Sequence, residues 1–479
     1  MSSTRPETLL SSLFYLGGAR AMAIAMNLVA TSRMAHVLGA DNFGINTFAV
    51  SFMSYFLIVV SLGYDQFLTR EIAYNSTRMR TLVDGALSIR LILALASGLI
   101  LLGVISVLGQ SRASNTAILI YGLGLLGSAI GLSSVYTGLH KMRMVAIREF
   151  TASLINMSGI LIFVRSPDDL VIAVSILSGT QLFTNLLIFV RYAFDFGMPR
   201  LRLPNGADLK EARLSMVYFW SLLMITVTYN FHIVLLGLLR TEADVGLFGV
   251  GWKLFVFAIV IPNLISTLFL PRLSSIAAQP EASRDASLLY MGTIIVCAVP
   301  IVVIGEALIP QILAVLFGSS FLAASPVVAV LLLNAFVVSL NIGFGTPLLA
   351  VGRQKDFFWI VAAGALAGVV LNVVLVPLLG IMGAAVGTLV DEFIILALFA
   401  LYRPEVPLGA CCSIVVRCLL AVAPAAFIAH MLPSWSTLLQ PDLIAILVGG
   451  TVGVLTYIAL LHLVGIQLRH LAMRLHRFT

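Results

Sequence analysis

The sequence predicts an all-α membrane protein of about fourteen transmembrane helices, built as two pseudo-symmetric six-helix bundles with a C-terminal helix pair. Three observations carry this: the composition, the spacing of the apolar runs, and a duplicated pattern of loop residues. Of the 479 residues 60% are hydrophobic and 10% charged, and the mean hydropathy is +1.07. A soluble globular chain is about 45–50% apolar and about 25% charged. A hydrocarbon core of about 30 Å is crossed by about 20 apolar residues in a helix. Runs of that order fall at 10–31, 42–63, 85–108, 116–137, 146–164, 169–191, 214–238, 245–270, 288–308, 322–350, 357–377, 382–402, 411–432 and 442–463.

The duplication shows first in residues 33–73. RMAHVLGADNFG leads into the apolar run 45–62 and then GYDQFLTREIA; about two hundred residues later LRTEADVGLFG leads through another apolar run to FLPRLSSIA. Gly44 answers Gly246 at an offset of 202 and Ile72 answers Ile276 at 204, so the register slips by two residues over a full membrane crossing. Residues 136–144 (YTGLHKMRM) answer 349–357 (LAVGRQKDF), Gly138 against Gly352 and Lys141 against Lys355, at an offset of 214 that one insertion explains.

On these residues the chain resembles the polysaccharide-biosynthesis flippases of the multidrug/oligosaccharidyl-lipid/polysaccharide exporter superfamily. Many of those proteins carry an LG-x-x-x-[FY]G turn after the first helix and a G-x-x-[KR] turn after the fourth and tenth. The likeness covers roughly residues 9–402 in the order of spans. It implies a MATE-like fold and a transporter rather than an enzyme. The implied substrate is a polyprenyl-diphosphate-linked oligosaccharide, such as an O-antigen unit, flipped across the bacterial inner membrane by alternating access for surface polysaccharide synthesis. Membrane lipids, a glycan polymerase and glycosyltransferases of the same pathway would be its partners.

Each element follows from the residues. The start, residues 1–8, is polar and no small-residue cleavage site follows the first apolar run, so span 1 is expected to remain in the protein. Lysine and arginine collect in alternate loops, twenty against four: Arg70, Arg78, Arg80, Lys141, Arg143, Arg148, Arg191, Arg200 and Arg202 lie on the rich side, and Arg33, Arg112, Arg165 and Arg240 make up the poor one. The positive-inside rule puts both termini in the cytoplasm. The formal charge of +7 is thereby a topology signal, and no nucleic-acid partner is implied. The polar stretch 194–211 (FDFGMPRLRLPNGADLKE), with Pro199, Pro204, Asn205 and Gly206, reads as a linker. The expected domains are therefore 1–193, a linker 194–212, 213–402, and an appended pair with a basic tail over 403–479. Span 10, with Pro326, Asn341, Gly343, Gly345 and Pro347, is long enough that a bend or an unwound end is expected. Cys297, Cys411, Cys412 and Cys418 show no metal-ligand spacing and read as packing residues; no cofactor or metal is called for.

A charge at mid-membrane costs about 2.5–3.5 kcal/mol on insertion scales, so it faces a cavity or a partner. Arg20 lies at the centre of span 1, on one face with Gly17, Asn27 and Thr31; it meets a substrate or pairs with a neighbour. Lys253 lies two turns inside span 8 and either lines a cavity or snorkels. Ser221, Thr228 and His232 share a face of span 7. Arg90, Arg148 with Glu149, and Arg417 lie within two turns of the basic side, where they snorkel or meet an anionic headgroup. Substrate binding is thus expected of Arg20, Asn27, Lys253, Thr228, His232 and Arg90. In GIMGAAVGTLVDE, Gly383, Gly387 and Asp391 recur every four residues, so a close helix contact turns Asp391 toward protein, where it is either a structural charge or a coupling group.

Two rivals remain at this stage. A cation-coupled drug exporter of the same superfamily typically carries an acidic residue in its first helix, and residues 9–31 have none. A membrane polymerase, ligase or acyltransferase usually needs a sizeable outside loop, whereas each outside connection here is about a dozen residues or fewer, with Asp168 and Asp169 the one acidic pair. Negative charge moving outward is favoured by about 2.3 kcal/mol per charge per 100 mV, so a diphosphate head has a driving force without a coupling ion; sodium or proton counter-transport stays open. The appended pair resembles the helices that guide the lipid tail in such relatives.

Overall fold

The computed structural model describes residues 9–402, 408–435 and 442–463. Among them twelve helices are long and apolar enough to cross a membrane. The first of these, α1 (Leu9–Ser61), is two helices joined at Gly39, whose φ of 70° and ψ of −179° lie outside helical space. With α1 counted as two and α18 (Asp442–Leu463) added, each of the fourteen expected spans has its helix.

The chain divides into two compact units, Met1–Gly246 and Leu247–Thr479. In the first, α1 is followed by α2 (Tyr64–Tyr74), α3 (Met79–Val107), α4 (Arg112–Gly122), α5 (Gly124–Ala129), α6 (Ser133–Gly138), α7 (Met142–Phe163), α8 (Leu170–Phe196) and α9 (Gly206–Leu239). A buried apolar cluster of Tyr64, Leu68, Leu82, Val135, Tyr136 and Tyr192 ties α2, α3, α6 and α8 together. Helix α9 packs on α1, α2 and α3.

The linker is shorter than expected, because α8 runs to Phe196 and α9 starts at Gly206. Residues 197–205 are strapped to α3. The Arg200 amide donates to Asp84 Oδ1 at 2.9 Å and the Arg202 amide to Ser88 Oγ at 3.3 Å. The Arg202 guanidinium grips Asp208 through two bonds of 2.8 and 2.9 Å, and Asn205 caps α9 in a reciprocal capping box with Asp208. The boundary between the compact units lies beyond α9, forty residues after this strap.

The repeat glycines have a packing reason. A Cβ on Gly44 would overlap the Glu242 carbonyl, and one on Gly246 the Ala40 carbonyl. The two residues that mark the duplication therefore sit where the chain before span 2 and the start of α10 (Glu242–Ala258) meet backbone to backbone, an approach that only glycine permits.

The second unit continues through α11 (Val260–Ser275), α12 (Pro280–Ala307), α13 (Ile309–Leu316), α14 (Ser325–Ala350), α15 (Gln354–Leu379), α16 (Ile381–Leu401), α17 (Leu408–Trp435) and α18. Its core joins α12, α14, α16 and the appended α17 and α18 through Met291, Val299, Phe344, Phe399, Cys418 and Tyr457. One expectation is corrected here. Span 10 does not unwind at its end, since α14 is an unbroken helix with Pro347 inside it, and the extra length is a 3-10 stretch at the other end, Ser319–Ala324. The broken helix is the fourth instead: it passes through α4, α5 and α6, with residues 130–132 outside the helices.

Candidate functional site

The break in span 4 borders a polar hollow of the first unit. Where the helix stops after Ala129, carbonyls that would have bonded within the helix are released, and hydrocarbon has no water to satisfy them. Arg90 does so from α3. Its Nη1 donates to Gly131 O at 3.0 Å and its Nη2 to Ser128 O, with the residue 2% exposed. Arg90 therefore does not snorkel. The earlier break, at Leu123, is served in the same manner by Ser178, whose Oγ donates to Ile120 O at 2.9 Å.

Beside Arg90 opens a cavity of about 580 Å³. Asp65, Gln66, Thr69 and Arg70 reach it from α2, Ser128, Ser133, Ser134 and Thr137 from the broken helix, Arg148 from α7, Gln181 and Asn185 from α8, and Tyr218 from α9. These are arginines, amides and hydroxyls, with one carboxylate among the described residues. Asp65 lies within 3.4 Å of Arg90 Nη1, and its other oxygen accepts from Ser61 Oγ at 3.1 Å. The Arg70 guanidinium donates to Tyr218 OH at 3.4 Å. Arg148 forms no ion pair among the described residues, and its Nε is shielded from solvent without a partner. Chemically, such a hollow can hold an anion through Arg148 and hydroxyl-rich groups through the amides and hydroxyls around it.

Of the residues expected to bind substrate, the cavity contains Arg90. Asn27 instead joins α1 to α7, its Nδ2 donating to Ser153 Oγ at 3.2 Å. The Thr228 hydroxyl turns to its own helix, bonding Met224 O at 3.0 Å, as Ser221 bonds Val217 O. His232 is buried on α9. Lys253 is half-buried in the second unit, on α10, with no ion pair among the described residues. Arg20 falls on α1, but its side chain, like that of Gly17, lies outside the described residues. Sequence inspection passed over Asp65, Gln181 and Asn185, although the last two stand one turn apart on an otherwise apolar helix and Asp65 sits inside the quoted GYDQFLTREIA motif.

The second unit holds two further features. Asp391 is 5% exposed and turned toward α15, as the glycine stripe implies: its carboxylate lies over Gly368, while Asn372 lies over Gly387. Among the described residues no basic side chain pairs with Asp391. Its neighbour Glu392 accepts from Asn341 Nδ2 at 2.7 Å. The other feature is an apolar hollow of about 590 Å³ bounded by α11, α12, α13 and α18, with Ile261, Val296, Pro300, Ile304, Val454 and Leu461 in its wall. Among the described residues no group of three or more His, Cys, Asp or Glu could hold a metal ion.

The sequence pattern of the family described as polysaccharide biosynthesis protein matches residues 9–277, more than half of the chain. The chain belongs to this family. Among curated relatives, a probable flippase, AglR, from Haloferax volcanii is 24% identical over 349 residues, or 70% of this chain, which spans 62% of that protein's length. A putative O-antigen transporter from Escherichia coli is 22% identical over 84% of this chain and 98% of its own. The fold is that of the lipid II flippase MurJ in an inward closed conformation, at a TM-score of 0.75 and 11% identity over 93% of this chain and 97% of the other. An inward-facing multidrug resistance transporter of the MATE family matches at 0.63 and 14% identity, covering 80% of this chain and 94% of its own. The polysaccharide biosynthesis family member is thus an all-helical, multi-pass membrane protein with a MATE- and MurJ-like fold.

Proposed function

We propose that this protein is a flippase that carries a polyprenyl-diphosphate-linked oligosaccharide across the bacterial inner membrane by alternating access, with both termini in the cytoplasm. The observation that carries the reading is the cavity of the first unit, a membrane-embedded hollow lined by three arginines, amides and hydroxyls. A phosphate stripped of water needs charge-assisted donors, and a sugar needs paired donors and acceptors such as Gln181, Asn185 and Ser134 present. The relatives' names support it: the curated proteins are called flippases or an O-antigen transporter. The apolar hollow along α12 and α18 suits a prenyl chain. Arg20 in the first unit and Lys253 in the second remain proposed substrate contacts, and the six-helix, six-helix and two-helix organisation is the arrangement proposed for the working cycle.

The test is translocation in proteoliposomes. A saccharide linked through diphosphate to a polyprenol, loaded on one leaflet, should become accessible on the other at least tenfold faster than in protein-free vesicles, and Arg148→Met should abolish the gain with the protein still folded. Equal rates with and without the protein would overturn the assignment. A second reading, in which transport is coupled to a cation, is favoured by the buried Asp391, which has no basic partner among the described residues. Its test is whether a sodium or proton gradient changes the initial rate.

A further inference from the structure

Three arginines and one carboxylate line the same cavity, and the carboxylate is held less firmly than Arg90. Arg90 is fixed by two carbonyls. Asp65, by contrast, stands at the head of α2 just after the turn at Leu62 and Gly63, where φ is positive at 46° and 74°. Its side chain is 45% exposed. Its contacts, 3.4 Å to Arg90 and 3.1 Å to Ser61, are longer than the roughly 2.7–2.9 Å of a well-formed charge-assisted bond. A carboxylate so placed is held in the arginine group without being locked there.

A carrier that flips a phosphate-bearing lipid must also return empty, with the arginines that met the phosphate still in its cavity. Unneutralised charge in such surroundings is costly. We infer that Asp65 is a built-in competitor for the phosphate: its carboxylate neutralises the Arg90 and Arg148 region while the cavity is empty and gives way when a phosphoryl group binds Arg148. This rests on the reading of the protein as a flippase for a lipid-borne phosphate and adds to it the identity of the phosphate-binding arginine and of the group that takes the phosphate's place. Arg148 suits the first role because it forms no ion pair among the described residues; Arg90, whose Nε is likewise without a partner, does not, because two backbone carbonyls already occupy its Nη1 and Nη2. Asp65 acts through the arginines and is a specificity-determining residue: a ligand must outcompete it, which discriminates against weakly charged anions.

The experiment is a calorimetric titration of the full-length protein in detergent with inorganic pyrophosphate and, separately, with a short-chain prenyl diphosphate. Wild type should bind pyrophosphate weakly, Asp65→Asn at least tenfold more tightly, and Asp65→Glu no more tightly than wild type. Arg148→Met should remove binding in both the Asp65 and the Asn backgrounds. Prenyl diphosphate should bind more tightly than pyrophosphate throughout; the reverse order would give the site to free anions and overturn the link to a lipid headgroup. Unchanged or weaker binding by Asp65→Asn would make Asp65 a mere support for Arg90 and overturn the proposal. Should the Asn variant not fold, Asp65→Ser, polar and uncharged, carries the same expectation, and failure of both to fold would likewise assign Asp65 to structure. A kinetic signature separates this from the flippase reading itself. Asp65→Asn should lose at least tenfold more in repeated turnover than in its first translocation, since the return of the empty carrier is what the carboxylate serves. Loss of all translocation in wild type would remove the flippase reading and leave the pyrophosphate result standing on its own.

Discussion

Arg90 and Arg148 line one cavity, yet replacing each by methionine should have opposite consequences for stability. Methionine at 90 leaves Gly131 O without its donor at a helix break, leaves Ser128 O with only the Gly131 amide, and leaves Asp65 without its nearest cation. Each stranded buried acceptor costs about 1–3 kcal/mol. Asp65 contributes little to the sum because its side chain is 45% exposed and exposed ion pairs are worth about 0–1 kcal/mol. With one stranded carbonyl, one weakened carbonyl and one exposed ion pair lost, a net destabilisation of about 2 kcal/mol is expected. A domain of 150–250 residues loses about 2–4 °C of melting temperature per kcal/mol, and the first unit ends at Gly246, so Arg90→Met should melt about 4–8 °C below wild type. Arg90→Lys should recover only part of this, since a single ammonium cannot reproduce a planar fork over two carbonyls. Arg148→Met strands nothing among the described residues and should melt at or above the wild-type temperature. The assay is thermal unfolding of the purified variants in detergent, followed by tryptophan fluorescence. Arg90→Met melting within about 2 °C of wild type, or Arg148→Met falling as far as Arg90→Met, would refute the division of the two arginines into a structural and a ligand-facing group.

Three further outcomes are expected. Cysteines placed at Ala113 and Ala207, both exposed, should label differently with an impermeant thiol reagent in intact cells, Ala113→Cys reacting and Ala207→Cys protected; equal labelling would overturn the cytoplasmic assignment of the termini. Gly246→Val should lower the yield of folded protein sharply, because its side chain would overlap the Ala40 carbonyl and overpacking costs typically 1–3 kcal/mol or more, whereas Gly103→Val, which meets open space, should not; size-exclusion profiles of the two compare them directly. Asp391→Asn removes a buried charge that has no basic partner among the described residues, so its melting temperature should equal or exceed that of wild type. A fall of more than about 5 °C would reveal a charge partner, because stranding one costs about 3–5 kcal/mol.

Much of the fold was legible because a membrane sets the length of each element. Fourteen apolar runs became fourteen helices, and the glycines that marked the repeat proved to be the residues of a backbone-to-backbone approach. The break in span 4 was not legible. Residues 123–132, LGLLGSAIGL, are as apolar as a continuous helix, and glycine and serine in a membrane helix are ordinary packing residues. Span 10, by contrast, displays two prolines and two asparagines and remains unbroken to Ala350. Proline is tolerated in a membrane helix when neighbours satisfy the freed carbonyl, so its presence in a sequence does not say where a helix will open.

The same limit explains the candidate site. Arg90 was visible as a charge in an apolar run, but whether an arginine serves a ligand or a carbonyl depends on which backbone groups the fold has left unbonded, and those lie on another helix, 38 and 41 residues away in sequence. Asp65 illustrates the converse. It was quoted as part of a repeat motif and looked like a loop residue, yet the turn at Leu62 and Gly63 brings it back over the bundle to face arginines from α3 and α7. The two residues are joined by one consequence: because two carbonyls fix Arg90 while Asp65 is loosely held, Asp65 can answer a change of charge in this cavity without moving Arg90. An arginine free to move would instead let the broken helix unravel each time the cavity emptied. Fixing the cation on the backbone and leaving the carboxylate loose is therefore the arrangement that keeps the cavity's shape while its net charge alternates.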